Sequence, residues 1–393
     1  MKDKICLFTF LLLTLAGCIE EYEADIPEED SNLLVVEGAI CSGSVNRFVL
    51  SRTQPLNSSF SQSRSPRLVT GATVSVRGND GAEYRMQEVG GCYTSQIGDL
   101  APDVAYYLHI ETDGEVYESV PQKPLRTEKI AEVTVVQDTP ESNLDVLVTP
   151  ADPFEPDQPI YYSWTYDETW EVHPEYTTIL YYDTEKREPV KKYDMFPERG
   201  WKDVASSSIL VGASQNYAGQ HIRRLKLFDI DRGSARMFYR YSCLVHQRAI
   251  SKAEYEYELA RRQASLEMGG LFTPQPSALP TNIRCLTSKK HVIGFVGCAL
   301  NTSKYRIFLN PDDYSVYRPR QTDTRVWLEA PTEAECCQMV DRGFFLCEWI
   351  TPMNSPTGKL QTAWAYRSQL DVRSQGAYIE EPPFWSLEEN ISY

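Results

Sequence analysis

The chain carries only five histidines (His109, His173, His221, His246 and His291), and no two of them fall at the spacing of a His-Glu-x-x-His helix. A zinc hydrolase is poorly supported on that count. There is no Gly-x-Ser-x-Gly elbow to present a serine nucleophile and no glycine-rich loop to cradle phosphate, which removes the usual signatures of acyl transfer and nucleotide chemistry. Cations are short as well: 39 Lys and Arg stand against 55 Asp and Glu, for a net charge of −16. Nucleic acid is thereby disfavoured as a partner, because neutralising phosphates takes clustered Lys and Arg. Carboxylates are so numerous that a chance pair at glycosidase separation carries no information. The sequence calls for no enzyme class and no cofactor.

The apolar run Ile5 to Leu15 is too short to span a bilayer. It follows Lys2 and Lys4 and precedes Ala16-Gly17-Cys18, the three-part layout of a secretory signal peptide over residues 1–17. Leu15-Ala16-Gly17-Cys18 resembles the lipobox of bacterial lipoproteins, in which small residues admit the peptidase and the Cys thiol takes the lipid. Cys18 is therefore the expected lipidation site and first mature residue. One acyl chain holds a protein only marginally, so the two or three chains of a mature lipoprotein, palmitate among them, are what such an anchor needs. Residues 18–31 then form a tether, with seven acids and no base between Ile19 and Asp30, too little apolar surface to fold. An acidic run at this place resembles the surface-export signal of outer-membrane lipoproteins of Bacteroidota; a plain spacer facing the periplasm is the alternative.

Loss of the leader, which holds Lys2, Asp3 and Lys4, leaves a mature charge of −17 and a chain long enough for two or three domains. Eight cysteines remain beside Cys6 and Cys18, an even number that reads as disulfides in an exported chain. Their connectivity is open, with Cys41–Cys92 the favoured pair. Vicinal Cys336-Cys337 with Cys347 could suggest zinc, but there is no Cys-x-x-Cys and no nearby His. Prolines around Asp152 to Asp157 favour a rigid turn over a calcium loop.

From Leu33 onward, short β-rich runs alternate with turns. Thr73 to Arg77 and Ala82 to Met86 flank Gly78-Asn79-Asp80-Gly81 as a hairpin, and Ala105 to Glu111 pairs with Glu115 to Val120 across Thr112-Asp113-Gly114. Ile160, Tyr162, Trp164 and Tyr166 share one face of a half-buried strand, and a further strand is expected over Arg236 to Ile250. Ser251 with Glu254 forms a capping box, Glu258 and Arg262 are spaced for an ion pair, and Gly269-Gly270 supplies a stop, predicting one helix over 251–268. The expected architecture is mainly β: two tandem β-sandwich domains, immunoglobulin or fibronectin type III-like, at 32–125 and 126–393, with a helix of about four turns inserted in the second.

Leu34-Val35-Val36-Glu37-Gly38 soon after the lipid Cys, Val49 to Thr53, Gly71 to Val74, Ser251-x-x-Glu254-Tyr255, Leu271 to Ser277 with Asn282, and the closing Pro382-Pro383-Phe384-Trp385 occur in a telling order and spacing. Together they resemble the domain of unknown function 4249 family, lipoproteins of Bacteroidota. That resemblance implies an accessory of a TonB-dependent outer-membrane transporter and offers no catalytic residues. In the family a Cys-x-x-Cys-like element and a Gly-rich step often precede the final Phe-Trp. Here Asp371 to Gly376 holds no cysteine, so disulfide topology does not carry over.

Tyr176, Tyr181, Tyr182, Tyr193, Phe196 and Trp201 crowd a proline-rich stretch. Aromatics on a long loop suit an interface or a sugar, although covering the core of the second sandwich is the favoured reading. Trp201 and Tyr193 are the expected anchors if the loop binds. The leading expectation is a non-enzymatic, surface-exposed outer-membrane lipoprotein partnering a TonB-dependent transporter in nutrient capture; the alternative is a stand-alone glycan- or peptide-binding protein or adhesin.

Overall fold

The computed structural model describes residues 32–53, 67–152, 158–267, 279–387 and 390–392, and of 265–267 only the backbone. Cys18, the tether, most of the Asp152–Asp157 turn, the Gly269-Gly270 stop and the Leu271–Ser277 motif lie outside the described residues. Within them the protein is mainly β, with several open sheets.

Two sheets share the first core. In one, the strands run in the order 292–294, 34–37, 45–52, 92–96, 87–89; in the other, 283–285, 115–119, 106–112, 73–78, 83–85. Alternating side chains (Leu34, Val36, Phe48 and Leu50 from one sheet, Val74, Val76, Leu108 and Ile110 from the other) meet between them, as a period-2 pattern requires. Both expected hairpins form, with Arg77 opposite Glu83 and Glu115 opposite Thr112. Asp113 and Gly114 turn the second one with φ of 52° and 76°, the left-handed pair that a two-residue hairpin needs.

This core also takes chain from far along the sequence. Val292, Val296, Cys298 and Ile283 belong to it, although residues 126–393 were expected to form a separate unit. Strand 292–294 lies parallel to 34–36, strand 297–299 parallel to 39–41, and 283–285 borders 117–119. Apolar alternation reports that a strand is half-buried but not which sheet it joins. Gly294, at φ +141°, permits the contact, since a Cβ there would stand 2.3 Å from the Val36 carbonyl oxygen.

The second core lies between a three-stranded sheet (130–136, 144–150, 225–230) and a larger one in the order 200–205, 161–172, 241–250, 303–309, 391–392. Tyr162, Trp164 and Tyr166 point into it as expected. Trp164 keeps its polar atom satisfied by donating to Gln247 Oε1 at 2.9 Å, and Gln247 in turn donates to the Glu128 carbonyl at 2.8 Å. The strand expected from Arg236 begins only at Tyr241, after a 3-10 turn at Ala235–Met237 capped by Ser234.

Helix Lys252–Glu267 forms where expected. Ser251 Oγ accepts from the Glu254 amide at 3.1 Å, but the Glu254 side chain turns away from the capping box to Arg248, at 2.5 Å. Glu258 pairs with Arg261 at 2.8 Å, and not with the expected Arg262.

A further three-stranded sheet was not foreseen. Strands 326–329, 361–366 and 344–350 pair around Trp364, and helix Glu333–Asp341 and the hairpin 180–183/188–191 pack against them. That helix starts with a full capping box, Thr332 with Glu335, a signal present in the sequence and passed over. A short helix, Arg367–Leu370, follows the sheet.

The eight described cysteines are free thiols, so the expected Cys41–Cys92 bridge does not form. Cys92 Sγ accepts from Arg47 at 2.8 Å, whereas Cys41 has Arg248 and Glu254 for charged neighbours. The two thiols serve different surroundings in the same unit.

Candidate functional site

The long strand Tyr161–Val172 ends at Val172, and Pro174 prevents its continuation by removing a ladder donor. His173 turns aside there, with Nε2 2.6 Å from Glu171 Oε1 and its ring stacked on Tyr239 at 3.8 Å between centroids. The chain then crosses to the Trp364 sheet. The Tyr176 amide donates to the Gln369 carbonyl at 3.1 Å, Arg325 covers the Tyr176 ring, and Thr178 Oγ1 donates to the Leu346 carbonyl at 2.8 Å. Glu175 fastens the same junction: burial raises its carboxyl pKa, but hydrogen bonds from Thr324, Gln369, Tyr176 and Gln321 outweigh burial and leave it below the usual range.

After the hairpin 180–191 the chain returns through Asp194, at φ +58°. This crossing and return wall an open cleft of about 730 Å³. Ile179, Met195 and Phe196 line it together with Cys347, Leu370 and Ile379, and Phe196 packs against the cluster that holds Cys347 and Leu370. Phe196 is locked edge-on against Phe345, 5.1 Å between centroids. A second chamber of about 410 Å³ adjoins it, sharing Pro174, Thr177 and Glu198 and ending on His173 and Tyr239. Burial pushes the Cys347 thiol up to about 11, so it is a neutral apolar wall at neutral pH and no thiolate nucleophile.

The expected anchors part company. Trp201 is 2 % exposed, packed against Tyr378, Trp385 and the Arg199 guanidinium. The segment 377–385 covers it, exchanging backbone hydrogen bonds between Trp201 and Tyr378 at 2.8 and 3.0 Å. Its Nε1 finds no hydrogen-bond partner among the described residues. Trp201 is thus a core residue in this arrangement. Tyr193 is 64 % exposed, one residue before cleft-lining Asp194. Tyr182 is buried and Tyr181 exposed, so the aromatic run divides between core and surface.

Sequence reasoning missed the far wall. Cys347, Leu370, Arg373 and Ile379 come from four short segments, none with a local signature of binding. Near the turn expected at 152–157, Asp152 Oδ1 lies 3.3 Å from His221 Nδ1, with 153–157 outside the described residues.

A family model described as a domain of unknown function, DUF4249, matches residues 19–305. The chain belongs to that family. No curated protein matches it. The DUF4249 match holds the cleft wall contributed by residues 174–198, while the wall from Cys347 to Ile379 lies beyond it.

Proposed function

We propose that this DUF4249 protein is a non-enzymatic outer-membrane lipoprotein, anchored through Cys18, that displays its body outward on the acidic tether 18–31 and serves as accessory to a TonB-dependent transporter. The first two cores are read as tandem β-sandwich domains that carry a binding cleft beside the Trp364 sheet. The observation that carries the binding role is the open cleft itself: it combines apolar side chains such as Ile179, Met195, Leu370 and Ile379 with charged ones, and a second chamber adjoins it, the form that ligand and partner sites take. The lipobox, the acidic run and the family resemblance support the address and the partner. The test is a pull-down of tagged full-length protein from mildly solubilised outer membranes, with the same tag carried on the leader and tether alone as control. Recovery of a TonB-dependent transporter above that control is expected; equal recovery from both counts heavily against the reading.

Tyr193 and Tyr181, exposed near the cleft, favour one second reading, a stand-alone glycan or peptide binder or adhesin. It requires affinity for such a polymer with no transporter present, lost on Tyr193→Ala.

A further inference from the structure

Charges on the cleft rim are not equivalent. Arg373 is held by Asp371 at 2.8 Å, and Arg199 by Glu381 at 2.9 Å. Each cation at the rim therefore has its anion within the fold. Asp194 and Glu198, on the segment that leads directly into Arg199, have no ion pair or hydrogen bond among the described residues. The rim offers two uncommitted carboxylates above an apolar floor, and Glu198 borders both chambers.

The floor narrows the class of occupant. Ile179, Met195, Leu370 and Ile379 present branched or flexible apolar groups, and Phe196 is half-buried, packed with Phe345 against the Cys347 and Leu370 cluster. Sugars favour open aromatic faces with flanking hydrogen-bond groups, whereas desolvated aliphatic side chains fit a Met- and Ile-lined floor. The length of two joined chambers suits an extended chain over a compact solute.

We infer that the cleft takes an extended peptide segment of a protein partner, with an apolar residue seated in the larger chamber and Lys or Arg flanking it to meet Asp194 and Glu198. This rests on the binding role proposed above and names its ligand class. An apolar centre inside a polar rim is the common form of such interfaces, and the carboxylates would set orientation and association rate more than bulk affinity.

The experiment uses the full chain in mild detergent and fluorescence anisotropy of a labelled peptide, Ser-Lys-Leu-Arg-Phe-Lys-Ser. Comparison probes replace its basic residues with Glu, or its Leu and Phe with Ser, and maltoheptaose stands for a neutral glycan. The basic apolar peptide is expected to bind, weakening with salt, and the other three to bind at least about tenfold more weakly, a difference of about 1.4 kcal/mol. Asp194→Asn with Glu198→Gln should cost about three- to tenfold, as exposed pairs do, and Ile379→Ser a similar factor. Both sites are exposed, so unchanged thermal melts report intact folding. Glu198→Lys should shift preference toward the Glu-containing peptide. Equal binding of the acidic peptide, indifference to all these substitutions, or binding of maltoheptaose alone overturns the inference. If the transporter is still recovered in the pull-down while no peptide binds, only the ligand class falls; loss of both removes the binding role as well.

Discussion

The guanidinium carbon of Arg306 lies 3.5 Å from the centre of the Phe384 ring. Arg306 belongs to a central strand of the larger sheet and also donates to Ser242 Oγ at 3.0 Å, while Phe384 stands in the closing Pro-Pro-Phe-Trp motif. Arg240 holds the next residues by donating to the carbonyls of Trp385 and Leu387. Two buried or half-buried arginines thus fasten the chain end across the sheet, and that end covers Trp201 and contributes Ile379 to the cleft.

A double-mutant cycle of Arg306→Met and Phe384→Ala should reveal this clasp. Cation–π pairs with a desolvated cation couple by about 1–2 kcal/mol, so the double variant is expected to lose that much less than the sum of the single losses in urea melts. Additive losses would mean the contact is geometric only.

Gly297 and Glu254 make a second pair open to test. A Cβ at position 297 would stand 2.2 Å from Glu254 Oε2, and Glu254 is fixed by Arg248. Gly297→Ala should therefore destabilise by about 1–3 kcal/mol, the range of an overpacked core. Glu254→Ala alone should cost about 1–3 kcal/mol, because it leaves the half-buried Arg248 without its carboxylate partner. In the Glu254→Ala background the alanine at 297 should cost far less. A full cost there would place the strain elsewhere.

Trp201 and Tyr193 should separate by stability. Trp201→Ala removes a buried indole and is expected to cost about 3–5 kcal/mol, read as a lower denaturation midpoint. Tyr193→Ala, at a surface site, should stay within about 0.5 kcal/mol. A neutral Trp201→Ala would overturn its assignment to the core.

Asp371 sets an acid limb. Its buried carboxylate accepts from Arg373 Nε at 2.8 Å and from Arg367 at 3.1 Å, and the Arg373 hydrogen bond above all holds its pKa below the usual carboxylate value. A depressed folded pKa contributes stability that is present above the unfolded value of about 4 and is lost as pH falls through the folded one. Asp371→Asn should be less stable than the parent at pH 7, and the gap should close as pH falls below about 4 and through the depressed folded value. A gap independent of pH would show that the carboxylate's charge contributes nothing.

Local chemistry made much of the fold legible. The alternation at Tyr162, Trp164 and Tyr166, the left-handed Asp113-Gly114 turn and the Ser251 cap each act within a few residues, and each formed as read. The capping box at Thr332 was equally legible and overlooked. Glu254 was misread because its charge found a partner, Arg248, that a helix template does not contain.

The sequence by itself determined that the described body is β-rich, where its hairpins turn, where its long helix starts and to which family it belongs. Only the tertiary structure decided that residues 283–299 return to the first core, that Trp201 is covered by the chain end, and that Ile179 and Phe196 come to line one cleft with Leu370 and Ile379. The physical reason is range. Hydrogen-bonded turns and side-chain periodicity are fixed by neighbours along the chain, whereas the partner of a buried face is chosen by packing between segments more than a hundred residues apart, and an apolar pattern looks the same whichever partner wins.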